Sequence, residues 1–289
     1  MRIPLIFITL LLGGCLGLSA KHTPQEPSPE AIFLTLDRGP LKRNQTQETP
    51  PPPIPRKSFA TQSWRDIASG IPLVFVAEGC FTMGSSQGKP HEQPPHKVCL
   101  DSFWIGSHEV TQGQWHQVMG SLPTQIQNGV DLPIGNISWN EVQTFINRLN
   151  SISKGRFRLP TEAEWEFACR NRGAHELYCG NGTDPTSFAW FNQKDGTLHN
   201  VGGLKPNGLG LYDMNGNVWE WVNDWYTEDY YQHSPTHNPP GPDTNSNKVF
   251  RGGGLLSSTQ FLRASTRAQL WPDRKHALLG VRLAGTPPP

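Results

Sequence analysis

The sequence predicts an α+β domain with a high loop content. The chain contains ten tryptophans and 29 glycines among its 289 residues, a mixture that favours irregular backbone around large aromatic anchors over a helical bundle, because glycine is costly inside helices. Short extended pieces, such as residues 71–76, are separated by clusters of glycine and proline, which is typical of strands joined by turns. Signals for the start of a helix are few, so helices form a minor part of the predicted fold.

Three short helices are predicted from capping patterns. In each, serine or threonine is followed three residues later by glutamate or glutamine, an arrangement that satisfies two backbone N–H groups at a helix start. One helix is expected over 139 to about 152, where apolar residues recur at helical spacing. A second begins directly after Pro160, and a third ends before Gly120. The capping pairs are Thr111 with Gln114, Ser138 with Glu141 and Thr161 with Glu164.

The charge composition does not support a nucleic-acid partner. Charged residues make up 17% of the chain, and the net charge is +1. The basic residues are scattered, and no block of five or six like charges occurs, whereas a nucleic-acid interface needs a basic patch or stripe. We therefore expect no nucleic acid among the partners.

Residues 1–15 are predicted to be a lipoprotein signal peptide. A short basic start precedes an apolar stretch over 3–12, which is too short to span a bilayer, where about 20 residues are needed. The stretch ends in the sequence LGGC at Cys15, which resembles a bacterial lipobox whose cysteine is lipidated. The alternative is an ordinary signal peptide that is cut elsewhere and discards Cys15.

A lipid on Cys15 would place the protein in the cell envelope, attached to a membrane. Leu16 follows Cys15, not the aspartate that usually retains a lipoprotein in the inner membrane, so we expect an outer-membrane lipoprotein that faces the periplasm or the outside. Residues 16–65 are rich in proline and poor in aromatic residues, and they are predicted to form a disordered tether. The folded domain is expected over 66–286.

The remaining four cysteines form two local pairs in the sequence, Cys80 with Cys99 and Cys169 with Cys179. An exported chain meets an oxidising compartment, in which surviving cysteines favour disulfides. Sequence alone permits three pairings, of which we predict the local one. The competing interpretations are a zinc site and a reactive thiol, although neither spacing matches the Cys-x2-Cys of a zinc knuckle.

A candidate ion site lies in the segment DMNGNVWE at 213–220. The segment has a carboxylate at each end, Asp213 and Glu220, with a flexible Asn-Gly turn between them. Calcium takes six to eight oxygen ligands from carboxylates and backbone carbonyls on a bent chain. Turn caps or salt-bridge partners would account equally well for the two carboxylates.

The stretch RGGGLLSSTQFLR at 251–263 combines a glycine run, a cluster of hydroxyls and an arginine at each end. It lacks the Gly-x-Ser-x-Gly pattern of a serine nucleophile and the Gly-x4-Gly-Lys pattern of a phosphate loop. We expect its glycines to permit a close backbone approach in a strand or turn, with polar residues lining the loop that follows.

Five motifs, in a set order along the chain, carry a resemblance to a known family. They are FVAEGCFTMGS at 75–85, EVT at 109–111, RLPTEAEWE at 158–166, NGLGLYDMNGNVWEW at 207–221 and RGG at 251–253. The chain resembles the sulfatase-modifying-factor family, which contains the formylglycine-generating enzymes. The resemblance covers about residues 72–284, and RLPTEAEWE and GNVWEW are specific when they occur together. It implies a variant C-type-lectin-like fold with little regular secondary structure.

The resemblance also implies a calcium ion at the 213–220 segment. In the family, an acidic or amide side chain, two backbone carbonyls and a glutamate bind this ion. The corresponding groups here are the Asp213 side chain, the carbonyls of Gly216 and Val218, and the Glu220 carboxylate. We therefore predict calcium as a structural cofactor.

The copper chemistry of the family is not expected in this chain. Formylglycine-generating enzymes oxidise a cysteine in a sulfatase motif, using molecular oxygen and copper(I) held by two cysteine thiolates that follow the basic-Gly-Gly element. In this chain the first thiolate position falls at or beside Ser257, the second falls at Phe261 or Leu262, and the last cysteine is Cys179. Because copper(I) prefers soft thiolate ligands, we expect no copper in this protein.

Two hypotheses for the function follow. The first is a non-catalytic binding or accessory protein of the cell envelope, whose partner is a protein, a peptide or a glycan. In this hypothesis the stretch at 251–263, which we call the former copper loop because it corresponds to the copper-binding loop of the family, lines a ligand pocket. The pocket residues are Arg251, Ser257, Phe261 and Arg263. The second is a modifying enzyme of the same family with altered chemistry, acting in protein or siderophore maturation.

Overall fold

The computed structural model describes residues 62–180 and 182–289. The predicted signal peptide, with Cys15, and most of the predicted tether lie outside these ranges, so both stay predictions. Within the part of the chain that the structure describes, no helix is both long enough and apolar enough to cross a membrane.

The three helices begin at the capping pairs that the sequence predicts. Each cap side chain accepts a hydrogen bond from the backbone N–H three residues later, and the side chain at that later position accepts one from the cap N–H. The first helix ends at Gly120, whose φ of 78° is the left-handed conformation that glycine adopts readily. The helices are α1 (Gln112–Met119), α2 (Trp139–Ile152) and α3 (Glu162–Cys169).

The described strands are short, and most lie in two separate sheets. They are β1 (Ser63–Arg65), β2 (Pro72–Val76), β3 (Gly79–Met83), β4 (His96–Leu100), β5 (Phe103–Gly106), β6 (Arg156–Arg158), β7 (Trp219–Trp225), β8 (Lys248–Arg251), β9 (Arg267–Leu270), β10 (Leu279–Val281) and β11 (Ala284–Thr286). One sheet has the order β1-β2-β5-β11-β6, with every neighbour antiparallel. The other has the order β10-β7-β8-β9, in which only β10 and β7 run parallel. The prediction of an α+β fold is confirmed.

The two predicted disulfides are present. Cys80 and Cys99 lie directly opposite each other in the antiparallel pair of β3 and β4 and are bonded. Cys169, the last residue of α3, is bonded to Cys179. All four cysteines within the described residues are therefore oxidised, and neither the zinc site nor the free thiol is formed.

Helix α3 lies at the centre of the domain. It contacts β3, β4, β7 and β8, and all eight of its residues are buried. Its aromatic residues, Trp165 and Phe167, pack in the largest group of buried apolar side chains. The same helix carries three buried glutamates, Glu162, Glu164 and Glu166. A buried carboxylate is stable only when it is paired and hydrogen-bonded, so the fold around α3 has to supply cations.

Candidate functional site

Arg251, the first residue of the RGGG stretch, supplies one of these cations. Its side chain has no exposed surface, and its guanidinium donates to Glu162 at 3.1 Å and to Glu166 at 2.5 Å. It also donates to the carbonyls of Ala264 and Ser265. Two carboxylates and two carbonyls thus surround one cation at the point where β8 enters the glycine run.

Two more arginines pair with Glu162 and Glu166, and Arg158 pairs with Glu164 at 2.6 Å. Arg267 lies opposite Arg251 in the pairing of β8 with β9, and Glu162 accepts from both guanidinium groups. Arg170, one turn further along from Glu166, donates to it at 2.9 Å. Burial by itself raises the pKa of Glu166, but Arg170 and Arg251 outweigh that effect and lower it. Glu166 is therefore held as an anion.

The glycine run after Arg251 forms a tight turn. Gly252 and Gly253 have φ values of 102° and 78°, in the left-handed region that favours glycine. Gly254 lies against Trp219, where an added Cβ would come within 2.9 Å of the indole. The expectation of a close backbone approach is thus met at this turn.

Side-chain contacts hold the loop after the glycines in place. The Ser257 hydroxyl accepts from the backbone N–H of Gly254 at 3.0 Å. The ring of Phe261 is half-buried, and the ammonium of Lys89 lies 5.5 Å from its centroid. Arg263 is fixed by both oxygens of Glu92, a residue with no exposed surface.

These contacts change the role of two predicted pocket residues. Arg251 cannot line a ligand pocket, because its guanidinium is enclosed by the glutamates of α3. The Arg263 side chain is paired with Glu92. Both arginines act as internal cations of the fold. Ser257 and Phe261, which lie at or beside the positions that the resemblance assigns to the thiolates, keep some exposed surface, and their part in ligand binding stays a prediction.

The predicted calcium segment lies next to a second buried cluster of acids. Asp213 and Glu220 are 3% and 1% exposed, and Glu109, from the EVT motif, has no exposed surface. Within the part of the chain that the structure describes, Arg282 is the cation paired with them, through Glu220 at 2.7 Å. Burial, together with Asp213 and Glu220, raises the pKa of Glu109 well above its usual value. Burial likewise raises the pKa of Asp213 to about 6. The cluster therefore holds three carboxyl groups beside one paired arginine, and burial disfavours the charged form of two of them.

The groups of the predicted calcium site differ in their availability. One oxygen of Asp213 accepts from Gly202 N–H at 2.6 Å, while the other is buried without a partner among the described residues. Glu220 is already bound, since it accepts from Arg282 and from the Trp165 indole at 2.6 Å. The unpartnered Asp213 oxygen is therefore the acceptor left for a cation, while the described residues hold no group of three or more His, Cys, Asp or Glu side chains placed to bind a metal ion. Calcium at this segment stays a prediction.

An open cavity of about 520 Å³ lies beside this cluster. Trp190 and His199 form one wall, with ring centroids 3.7 Å apart and an interplanar angle of 11°. Asn217 connects the cavity to the 213–220 segment, because it donates its backbone N–H to the Trp190 carbonyl and its side chain accepts from His199 N–H. Sequence reasoning missed this site, since residues 190–200 contain no recognisable motif.

A comparison with known protein families identifies the family of this domain. The family model described as "Sulfatase-modifying factor enzyme 1-like domain" matches residues 65–287. The chain belongs to this family. Its fold is the α+β, variant C-type-lectin-like fold that the resemblance implied.

Similar proteins bear out the membership of the sulfatase-modifying-factor family. The formylglycine-generating enzyme of Streptomyces coelicolor is 32% identical over 229 residues, a match that covers 73% of this chain and 66% of that enzyme. Treponema denticola variable protein 1 superposes with a TM-score of 0.69 at 26% identity, covering 80% of this chain and 100% of that one. PvdO from Pseudomonas aeruginosa has the same fold, with a TM-score of 0.68 at 24% identity, covering 78% of this chain and 98% of that one.

The α3 network of this sulfatase-modifying-factor domain gives a direct test. We expect Arg251→Met to lower the free energy of unfolding by about 3 kcal/mol, because two buried carboxylates and two buried carbonyls lose a hydrogen-bond donor, although Arg267 and Arg170 still pair with the glutamates. Lys275→Met is the matched control. Its pair with Glu141 is exposed on both sides, so the same substitution should cost about 1 kcal/mol or less. Urea unfolding measures both, and equal losses in the two variants would contradict the structural role of Arg251.

Proposed function

We propose that this protein is a non-catalytic binding or accessory protein of the cell envelope, built on a formylglycine-generating-enzyme-like domain. The absence of copper ligands carries the proposal. All four cysteines of the described residues are in disulfides, and Ser257 and Phe261 or Leu262 stand at the thiolate positions. Neither a hydroxyl nor an apolar side chain replaces a thiolate as a copper(I) ligand.

The form of the former copper loop supports the same proposal. The loop is anchored by the Arg251 and Arg263 ion pairs, and Lys89 lies over the Phe261 ring. Its polar side chains are not arranged as nucleophile, base and orienting group, which covalent catalysis needs. A rigid loop without reactive groups suits recognition of a protein, peptide or glycan.

A sulfatase-motif peptide tests the proposal. We expect the protein, supplied with copper(I) and oxygen, to leave the peptide cysteine unchanged, because it has no thiolate pair to hold the metal. Mass spectrometry of the peptide is the measurement, and the Streptomyces coelicolor formylglycine-generating enzyme is the positive control. Formylglycine in the product would refute the non-catalytic role.

Calcium is proposed as a structural ion of the domain. The supporting observations are the unpartnered, buried oxygen of Asp213 and the three carboxylates that face one arginine. Asp213, Glu220 and the carbonyls of Gly216 and Val218 would hold it, and its charge would balance the buried acids. Calcium prefers such oxygen ligands.

Calcium binding should therefore stabilise the fold. At about 100 times its dissociation constant, a bound ion adds about 2.7 kcal/mol to the free energy of unfolding, and a chelator should remove that gain. Asp213→Ala should abolish the effect, while Asp243→Ala, at an exposed aspartate, should keep it. Thermal unfolding with and without calcium is the measurement. An equal shift in the two variants would place the ion elsewhere, and no shift in the wild type would exclude it.

Attachment to the outer membrane through Cys15 is also proposed. The LGGC sequence and the proline-rich segment after it support this anchor. Labelled palmitate should enter the wild-type protein and Ser19→Ala but not Cys15→Ser, because only the thiol of Cys15 would carry the lipid. Undiminished labelling of Cys15→Ser would rule out this site of lipidation.

A further inference from the structure

We infer that the Trp190–His199 cavity binds a neutral saccharide that carries an N-acetylated amino group. The inference rests on the proposed binding function and names the ligand class for it. The cavity lies outside the former copper loop, and its volume of about 520 Å³ is within the usual range for small-molecule sites.

The charge of the cavity points to a neutral ligand. Its lining contains no aspartate, glutamate, lysine or arginine. His199 is the one titratable side chain in the lining, and its Nε2 is already hydrogen-bonded to Gln193 at 2.6 Å. A phosphate, a carboxylate or an ammonium group would find no opposite charge in this lining.

The remaining lining combines apolar surface with unused amides. Leu132 and Leu198 are 6% and 7% exposed and form an apolar floor. The side chains of Asn128 and Asn200 are exposed, and neither hydrogen-bonds another described residue. An amide both donates and accepts, so it pairs with a sugar hydroxyl or an acetamido group. The acetamido methyl would contact the leucine floor.

The aromatic wall of the cavity also matches the surface of a saccharide. Trp190 and His199 both line the cavity and stack on each other, and tryptophan combines a large apolar body with one polar atom. Its indole N–H is unpartnered among the described residues. A pyranose ring has an apolar face of C–H groups and a rim of hydroxyls, which suits a wall of this kind.

The cavity is formed before a ligand arrives. Both atoms of the Gln127 amide bind the Leu198 backbone, accepting at 2.9 Å and donating at 3.4 Å. Asn217 holds the backbone of His199 on both its N–H and its carbonyl. Walls fixed in this way reduce the entropy cost of binding a small ligand.

A peptide is a poorer fit to the same cavity. All of its lining residues lie outside the helices and strands, so no strand edge is available there to pair with an extended chain. Peptide recognition by strand addition takes its affinity from such an edge. A ligand recognised through side chains alone is favoured instead.

A side chain at Gly203 would fill part of the cavity. It lines the cavity and is exposed. A Cβ added there would lie 3.4 Å from the Trp190 ring and 3.2 Å from the Asn200 carbonyl. A leucine at this position would extend into the space beside Trp190. Thr197, an exposed residue of the same loop that does not line the cavity, is the matched control.

Isothermal titration of the full-length protein with N,N′-diacetylchitobiose tests the inference. Binding should weaken by about tenfold or more in Gly203→Leu and stay unchanged in Thr197→Leu. Asn128→Ala and Asn200→Ala, which alter exposed side chains, should each weaken it as well. Cellobiose, which has the same linkage without the acetamido groups, should bind less tightly than diacetylchitobiose.

Several outcomes would overturn the inference. These are no binding of diacetylchitobiose, binding that Gly203→Leu leaves intact, or equal binding of cellobiose. Binding of a neutral capped hexapeptide of alanine and serine, lost in Gly203→Leu, in place of the disaccharide would assign the cavity to peptides. If diacetylchitobiose does not bind and the sulfatase-motif peptide stays unconverted, the inferred ligand class is wrong and the proposed non-catalytic function stands. Conversion of that peptide would refute the proposed function itself.

Discussion

The fold depends on one buried cation, Arg251, held between two carboxylates of α3. Arg251 and Arg267 lie opposite each other on β8 and β9, a like-charge pair that is unfavourable by itself. Glu162 makes the pair tolerable because it accepts from both guanidinium groups. The helix and the sheet therefore stabilise each other's charges, and removal of Glu162 would leave Arg267 without a hydrogen-bonded carboxylate in the interior.

The ion pairs of Arg251 with α3 explain how the glycine loop can keep its shape without a copper ion. Arg251 both begins the loop and completes the α3 network, so the backbone there is fixed by folding and not by a ligand. The thiolates, in contrast, would serve only the metal. A chain can thus carry Ser257 and Phe261 at those positions and retain the arginine, the glycines and the turn. Similarity in this region is consequently evidence about the fold and says little about copper chemistry.

Sequence patterns predicted the contacts between residues that are close in the chain and missed those between residues that are far apart in it. The capping pairs of the helices span three residues, and the disulfides join cysteines 19 and 10 residues apart, so composition and spacing were sufficient for both. The carboxylate of Glu109, in contrast, meets the Val218 N–H across 109 positions, and Gln127 meets Leu198 across 71. No local pattern encodes such pairs, and the resemblance to a family located the motifs without naming their partners. The misplaced role of Arg251 has the same origin, since its partners lie in α3.

The Trp190–His199 cavity and the former copper loop are joined through the backbone. Gln193 N–H donates to the Leu255 carbonyl, and Asn192 N–H donates to the Ser257 carbonyl. These bonds do not depend on which side chains the loop carries, so exchange of the thiols leaves the cavity wall supported. Asn217 joins the same wall to the 213–220 segment. A ligand in the cavity and a cation beside Asp213 would therefore lie against segments that the hydrogen bonds of Asn217 hold together.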